Sequence, residues 1–249
     1  MSDDLTEEIR AVVDRIGLPD EVVDAEPSDL TGELARLAQW WSSVSKAGEP
    51  VVAEIAADDV PDDALAAFVA GVQAADRSID GGATLVVPGS SSSDLLPART
   101  IVALLTRREA SLVTPQPQGM RDRDWISQCV AIRDGVTSVA QRRGEPVALL
   151  NQAEAFRIAF LVGVLLEAAA RRTPCLIDGT EPATAALVAD RLAFRAKAWW
   201  REAATSIDPA QRAAVERIDL TAGLPLALSD EGGHGAQATV ALLHLVAGS

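Results

Sequence analysis

The sequence is short of several residue types on which whole classes of protein depend. Its 249 residues include no tyrosine, two cysteines and only two lysines, Lys46 and Lys197. Two cysteines are too few for a disulfide framework or a structural zinc site. No apolar run reaches the roughly 20 residues that a membrane-spanning helix needs, because Glu167 interrupts the longest one, at 158–170. The N-terminus has neither a cationic start nor an apolar stretch, so a soluble cytoplasmic protein without a signal peptide is expected.

Positive charge is also scarce, and its scarcity excludes a further set of partners. The chain carries 36 Asp and Glu against 22 Lys and Arg, which gives a formal charge of −14. Phosphates repel carboxylates, so neither a nucleic acid nor an acidic membrane surface is an expected partner. By contrast, 48% of the residues are hydrophobic, which is ample for the core of one large domain or two small ones.

Helical and strand-like patterns alternate along the chain. Long segments have apolar residues at helical spacing, and short apolar runs beside glycines are typical of buried strands. Such alternation predicts an α/β layered fold with a mainly parallel sheet. The expected helices are 5–16, one beginning near Ser28-Asp29, 64–75, 98–106, 124–142, 153–171, 182–200, 210–218 and 236–246. The expected strands are 81–89, 110–113 and 173–177, with a short strand or connector within 51–63.

The first long strand ends in a segment suited to ligand binding, because ligands in such folds bind beyond the carboxyl ends of the strands. It runs into Gly89, four consecutive serines (Ser90, Ser91, Ser92, Ser93) and Asp94, just before a helix. A loop of small residues at a helix N-terminus offers N–H groups and hydroxyls to an anion. The same residues also suit a flexible serine loop with an aspartate cap. Without a lysine at the required position, the loop is not a P-loop.

Two further segments are candidate ligand sites. The second strand ends at Asp178-Gly179, where the carboxylate either orients a ligand or forms a turn at a strand-to-helix junction. In the loop 230–235, glycines allow close approach of a ligand, and Glu231 and His234 are candidate acids or bases. A surface loop that begins a helix explains that segment equally well.

Other chemically interesting side chains have plainer interpretations. His244 lies in an apolar run and is expected to be a packed helix residue. The pairs Trp40-Trp41 and Trp199-Trp200 are expected to pack in a core or a dimer interface from amphipathic helices. Two histidines are too few for most histidine-rich metal sites.

Six collinear segments share patterns with one enzyme family. They are 30–40, similar to S-L-G-R-L-E-x-L-A-x-W; 82–89, similar to the strand before G-I-G-N-T-T; 158–166, similar to E-I-A-x-L-x-G-x-I-L; 174–187, similar to P-V-x-x-D-G-F and T-x-A-A-L; 206–214, similar to S-x-E-P-G-H-x-x-A; and the last loop, similar to G-E-G-T-G-A-A. Through them the chain resembles the nicotinate-nucleotide–dimethylbenzimidazole phosphoribosyltransferase family, which activates the lower ligand of cobalamin.

Several positions depart from the family pattern. A central block near residues 50–60 is missing, and with it the D-H-G-V segment linked to benzimidazole binding. The serine loop replaces G-I-G-N-T-T, and the slot of a family lysine falls near Cys129. Arg157 replaces the carboxylate of G-G-F-E, and Gln211 replaces the histidine of E-P-G-H. Counted without gaps from Gly235, the slot of the catalytic glutamate is Gly232, one place from Glu231.

The resemblance implies a fold and a reaction. The fold is a three-layer, Rossmann-like α/β domain with a small helical part from both chain ends. The division expected here is an N-terminal helical segment at 1–60 and the α/β domain at 61–249. The protein is expected to form a homodimer. The reaction transfers phosphoribose from nicotinate mononucleotide to a benzimidazole-type base, without a metal or cofactor. Glu231 is then the expected base, and the expected substrate-binding residues are Gly89, Ser90, Ser91, Ser92, Ser93, Asp178, Gly179, Gly233 and Gly235. The departures predict reduced or changed activity; the alternative is a non-catalytic homologue that keeps the scaffold for binding or assembly.

Overall fold

The structure, a computed structural model, describes residues 2–19, 32–45, 48–228 and 233–247. Within these ranges, helices alternate with five strands. The helices are α1 (Ser2–Val13), α2 (Gly32–Val44), α3 (Ala64–Asp80), α4 (Leu96–Thr106), α5 (Asp122–Val139), α6 (Pro146–Gln152), α7 (Phe156–Ala170), α8 (Thr180–Leu192), α9 (Pro209–Ile218) and α10 (His234–Ala247). The strands are β1 (Val52–Ala56), β2 (Leu85–Gly89), β3 (Cys175–Ile177), β4 (Trp200–Ser206) and β5 (Ala222–Leu228).

The five strands form one sheet in the order β1-β2-β3-β4-β5, and all neighbouring strands are parallel. This confirms the expected α/β class and the parallel sheet. Since each strand points the same way, the loops that follow β1, β2 and β3 meet at one edge of the sheet.

Helices cover both faces of the sheet. Successive residues of a strand point to opposite faces. On β4, the Trp200 indole N–H donates to the carbonyl of Leu165 in α7, at 3.4 Å. The next residue, Arg201, lies on the other face, with its guanidinium 5.5 Å from the ring centre of Trp40 in α2. The fold therefore has three layers, with α7 on one side of the sheet and α2 on the other.

The core centres on α7, which packs most extensively against α3. Apart from Arg157 and Glu167 the helix is apolar throughout, and its fully buried residues include Ile158, Leu161, Leu165 and Leu166. A helix without a polar face is stable only when other elements surround it. This explains why the longest apolar run of the sequence is a core helix.

Partly buried polar contacts attach the segment that follows α1 to the sheet domain. Just after α1, Arg15 forms a paired hydrogen bond with Glu167 of α7, one contact measuring 2.9 Å. The indole N–H of Trp199 donates to the carbonyl of Gly17 at 2.8 Å. Both contacts join segments far apart in sequence, so the N-terminal segment packs directly on the α/β domain.

Two expected elements differ from the structure. Residues Ala110–Leu112 form a 3-10 helix rather than a strand. The expected helix 182–200 ends at Leu192, after which Phe194–Trp199 is a 3-10 helix and Trp200 begins β4. Trp199 and Trp200 are buried as expected, but they are not on a long amphipathic helix. The expected helix start at Ser28-Asp29 lies outside the described residues.

Strands β4 and β5 were not expected from the sequence. Their residues, W-R-E-A-A-T-S and A-G-L-P-L-A-L, contain few of the β-branched residues that favour strands. Pairing with β3 places β4 in the sheet, so tertiary context overrides local preference there. Among the described residues, no helix has both the length and the apolar character to cross a membrane.

Candidate functional site

A cavity of about 910 Å³ opens at the carboxyl ends of β1, β2 and β3, where it is bounded by α10. Such a volume suits a small-molecule ligand. The strands and their following loops line one side, and α10 lines the other. The residues that contribute to the first side include Glu54, Ala56, Val87, Gly89, the four serines Ser90, Ser91, Ser92 and Ser93, Asp178, Gly179, Thr180 and Glu181. Those on the second side include Gly233, Ala236, Gln237, Val240 and His244.

The serine loop is held by side-chain hydrogen bonds. Asp58 accepts both the hydroxyl of Ser91, at 2.6 Å, and its N–H, at 3.3 Å. Both hydrogen bonds lower the pKa of Asp58, and the bond from the Ser91 hydroxyl has the larger effect. Further along, the N–H of Ser92 donates to the Ser90 hydroxyl and the N–H of Asp94 donates to the Ser92 hydroxyl. Most of the loop's N–H groups are thus already used within the protein.

Asp178 joins the end of β3 to the start of α10. Its Oδ2 accepts the N–H of Ala236 at 2.8 Å. Burial raises the pKa of Asp178, while bonds from the N–H groups of Ala236 and Gly235 oppose that rise. A methyl group on Gly235 would lie 3.0 Å from both carboxylate oxygens, so the glycine favours this close approach. The carboxylate therefore caps α10 while it lines the cavity.

Gly179 is the residue just before α8 and has a backbone conformation that favours glycine, with φ +100°. Its N–H donates to Oε1 of Gln211 at 3.2 Å. The amide of Gln211 in turn lies 3.5 Å from Oε1 of Glu202 on β4. Gln211 is fully buried and Glu202 is nearly so. Burial raises the pKa of Glu202 from 4.5 to about 7, against the opposing hydrogen bond from Gln211.

The raised pKa of Glu202 predicts a loss of stability as the pH rises. Because its folded pKa, about 7, exceeds the unfolded value of 4.5, folding favours the protonated carboxyl. The resulting stabilisation is present below pH 4.5 and disappears as the pH passes 7, with a change on the order of 3 kcal/mol. Glu202→Gln is neutral at every pH and should flatten this part of the pH profile. Urea unfolding at several pH values measures the effect.

The exposed Glu109 provides the matched control for this experiment. Glu109→Gln removes the same charge from the surface and should leave the profile between pH 5 and pH 8 as it is in the wild type. A Glu202→Gln profile as steep as that of the wild type would contradict the assignment.

The first turn of α8 brings two buried polar side chains to the cavity wall. Thr180 and Glu181 are both only 3% exposed. Oε1 of Glu181 accepts Nε of Arg157 at 3.0 Å, and the same guanidinium donates to the carbonyl of Asp94 at 3.2 Å. Arg157 thereby ties the serine loop to α8. Oε2 of Glu181 and the hydroxyl of Thr180 are buried without a hydrogen-bond partner.

The structure brings most of the sequence-predicted residues together. Gly89, the four serines, Asp178, Gly179 and Gly233 all line the cavity, and Gly235 lies against Asp178. Glu231 lies outside the described residues. These placements are positions in the fold; whether each residue binds a substrate stays a prediction.

The sequence interpretation missed other lining residues. Thr180 and Glu181 directly follow Asp178-Gly179, so their position after a strand end was an available signal. Glu54 shares the cavity because β1 pairs with β2, which no local pattern indicates. His244 was expected to be a packed helix residue, but its side chain is 46% exposed at the cavity edge, 3.8 Å from Glu49.

The sequence is similar to known phosphoribosyltransferases. A family profile described as phosphoribosyltransferase matches residues 14–248. A nicotinate-nucleotide–dimethylbenzimidazole phosphoribosyltransferase of Mycobacterium ulcerans is 36% identical over 192 residues, 76% of this chain and 53% of the relative. One of Streptomyces coelicolor is 35% identical over 201 residues, 80% of this chain and 54% of the relative. The chain thus spans about half the length of the curated relatives it matches.

The fold also matches solved structures. A crystal structure of the enzyme of the same name from Thermus thermophilus superposes with a TM-score of 0.72, covering 99% of this chain and 95% of that chain. A structure of CobT from the same organism gives a TM-score of 0.69, covering 98% and 95%. Both are 18% identical in sequence, so they establish the shared fold.

Proposed function

This chain belongs to the nicotinate-nucleotide–dimethylbenzimidazole phosphoribosyltransferase family, and we propose that it retains a reduced or altered form of that family's reaction. The reaction transfers phosphoribose from nicotinate mononucleotide to a benzimidazole-type base in the synthesis of the cobalamin lower ligand. The observation that carries the proposal is the cavity at the carboxyl ends of β1, β2 and β3, lined by Asp178-Gly179 and the serine loop.

The reaction has simple chemical requirements. A ring nitrogen of the base attacks C1′ of the ribose, the bond from C1′ to the nicotinate nitrogen breaks, and nicotinate leaves. The benzimidazole also loses the proton of its N–H group, and a nearby side chain must accept that proton. We assign that role to Glu231, which the sequence places two residues before Gly233 of the cavity wall.

The remaining roles are positional. Asp178 fixes the start of α10, and Gly179 fixes the start of α8, so the two helices meet across the cavity. Holding two reactants in a reactive geometry lowers the activation free energy of their reaction by several kcal/mol. We further propose that the protein is cytoplasmic and forms a homodimer.

The serine loop, which replaces the family's G-I-G-N-T-T, supports the expected reduction in activity. Several of its N–H groups donate to protein side chains, so fewer are free to hold a phosphate. The same observation favours the second candidate function, a non-catalytic homologue that keeps the cavity for ligand binding or the fold for protein assembly.

Turnover and its dependence on Glu231 separate the two functions. With nicotinate mononucleotide and dimethylbenzimidazole, we expect slow formation of α-ribazole phosphate together with an equal amount of nicotinate. Glu231→Gln should lower kcat about 10²-fold, because a general base is lost. Chromatography of the products measures both compounds.

The distant Glu109→Gln serves as the matched charge-removing control and should retain wild-type turnover. Turnover that Glu231→Gln leaves unchanged would refute the assignment of the base. Absence of turnover, together with absence of any thermal shift with nicotinate mononucleotide, would refute the proposed reaction and leave the non-catalytic function.

A further inference from the structure

The peptide bond between Asp178 and Gly179 lies in the cavity wall, where packing alone does not fix its orientation. Glycine has the widest backbone freedom of any residue type, and a methyl group added at Gly179 would meet only Cδ of Pro182, at 3.5 Å. The carbonyl of Gly179 accepts the N–H of Ala183 at 3.1 Å. That bond fixes the peptide after Gly179, whereas the peptide before it can still turn about φ of the glycine.

Gln211 supplies the bond that holds this preceding peptide. Its Oε1 accepts the N–H of Gly179 at 3.2 Å. Because a peptide group is planar, holding this N–H also fixes the carbonyl and the α carbon of Asp178. The carboxylate of Asp178 lines the cavity and accepts the N–H of Ala236. A side chain that does not itself line the cavity therefore sets the position of one that does.

Gln211 is in turn held from two sides. It is fully buried in the first turn of α9, where its own N–H donates to Oδ1 of Asp208 at 3.1 Å. Since its Oε1 accepts from Gly179, its Nε2 faces Glu202 on β4, 3.5 Å from Oε1 of that carboxyl group. A side-chain amide can accept on one side and donate on the other without carrying a charge. The residue type thus suits a buried link between the end of β3 and strand β4.

We propose that Gln211 is a positioning residue of the candidate substrate site, which holds the Asp178–Gly179 peptide where ligand binding requires it. The inference rests on the proposed function, because it takes nicotinate mononucleotide as the ligand of this cavity. Without the amide, the peptide turns about φ of Gly179 and carries the carboxylate of Asp178 out of place. Affinity for the ligand then falls although no residue that lines the cavity has changed.

Two substitutions separate positioning from packing. Gln211→Met keeps the length of the side chain and suits a buried site, but it offers Gly179 no strong acceptor. Gln211→Glu keeps an oxygen for that N–H, and at about pH 6 it shares a proton with Glu202, because two adjacent buried carboxylates cannot both ionise. At this pH, isothermal titration calorimetry of the full chain should show the dissociation constant of nicotinate mononucleotide raised about tenfold in Gln211→Met. In Gln211→Glu it should stay within about threefold of the wild type.

Gln141→Met is the matched control, because Gln141 is exposed in the 3-10 helix Ala140–Arg142, outside the described cavity wall. It should bind the mononucleotide as the wild type does. Thermal unfolding of each variant gives the fraction that is folded at the temperature of the titration, so lost stability is not counted as lost affinity. Wild-type affinity in Gln211→Met, or an equal loss in Gln211→Glu, would overturn the inference and leave the proposed function standing. A wild type that does not bind the mononucleotide would overturn both.

Discussion

Gly163→Ala is expected to destabilise the protein by about 3 kcal/mol or more, at the upper end of what overpacking a core costs. For a chain of this size, such a loss lowers the melting temperature by roughly 6–12 °C. Gly163 lies on α7, where the chain crosses α3. A methyl group at this position would overlap the carbonyl oxygen of Phe68 and come within 3.0 Å of the backbone nitrogen of Val72.

The direction of this effect separates tertiary packing from helix propensity. Inside a free helix, alanine is more favourable than glycine by about 1 kcal/mol, so the sequence alone predicts stabilisation. The opposite is expected because the obstacle is backbone, which cannot rotate away as a side chain can. Gly71 makes the reciprocal contact, where a methyl group would overlap the carbonyl oxygen of Phe160. The two helices therefore approach each other through a glycine on each side.

Gly144→Ala is the matched control, because nothing lies within 4 Å of the added methyl group. Its free energy of unfolding should stay within about 0.5 kcal/mol of the wild type, as for other surface changes. Calorimetry of the three proteins measures the difference. A Gly163→Ala protein that melts at or above the wild-type temperature would show that α3 and α7 do not pack this closely.

The second large effect is expected at Arg15. Arg15→Met should cost about 3 kcal/mol, because it leaves the fully buried Glu167 without its guanidinium partner. We take the lower end of the range for broken buried pairs since Arg15 itself is 48% exposed. Burial already raises the pKa of Glu167 even with Arg15 beside it, and the nearby Asp76 adds to the rise.

Two further measurements identify the cause of the loss. Glu167→Gln in the Arg15→Met background should recover most of the stability, because the stranded charge is gone. Without Arg15, the folded pKa of Glu167 lies further above its unfolded value, so the variant should lose stability as the pH rises and regain it on acidification. Urea unfolding of the single and double variants gives both results.

The exposed Arg10, on the preceding helix α1, provides the control. Arg10→Met should change the free energy of unfolding by no more than about 0.5 kcal/mol. A loss in Arg15→Met that persists unchanged in the double variant would show that Arg15 stabilises the fold by some route other than Glu167.

The sequence predicted much of the cavity because its signals are local. A run of serines after a strand, and Asp178-Gly179 after another, mark strand ends that a parallel sheet must bring to one edge. The sequence did not reveal the unpartnered acceptors at Thr180 and Glu181. Whether a buried oxygen has a donor depends on every element packed around it, here including Arg157 on α7.

The sequence by itself determined the class of fold, the apolar core helix and the family, since these follow from periodicity, composition and collinear motifs. Tertiary structure decided the rest. Strand β4 forms from residues with little strand preference because β3 offers it backbone partners. A glycine in α7 becomes indispensable only because another helix backbone lies against it. The scarcity of lysine was visible in the composition, but only the fold shows that neither a lysine nor an arginine lines the described part of the cavity, because charge acts through distances that folding alone sets.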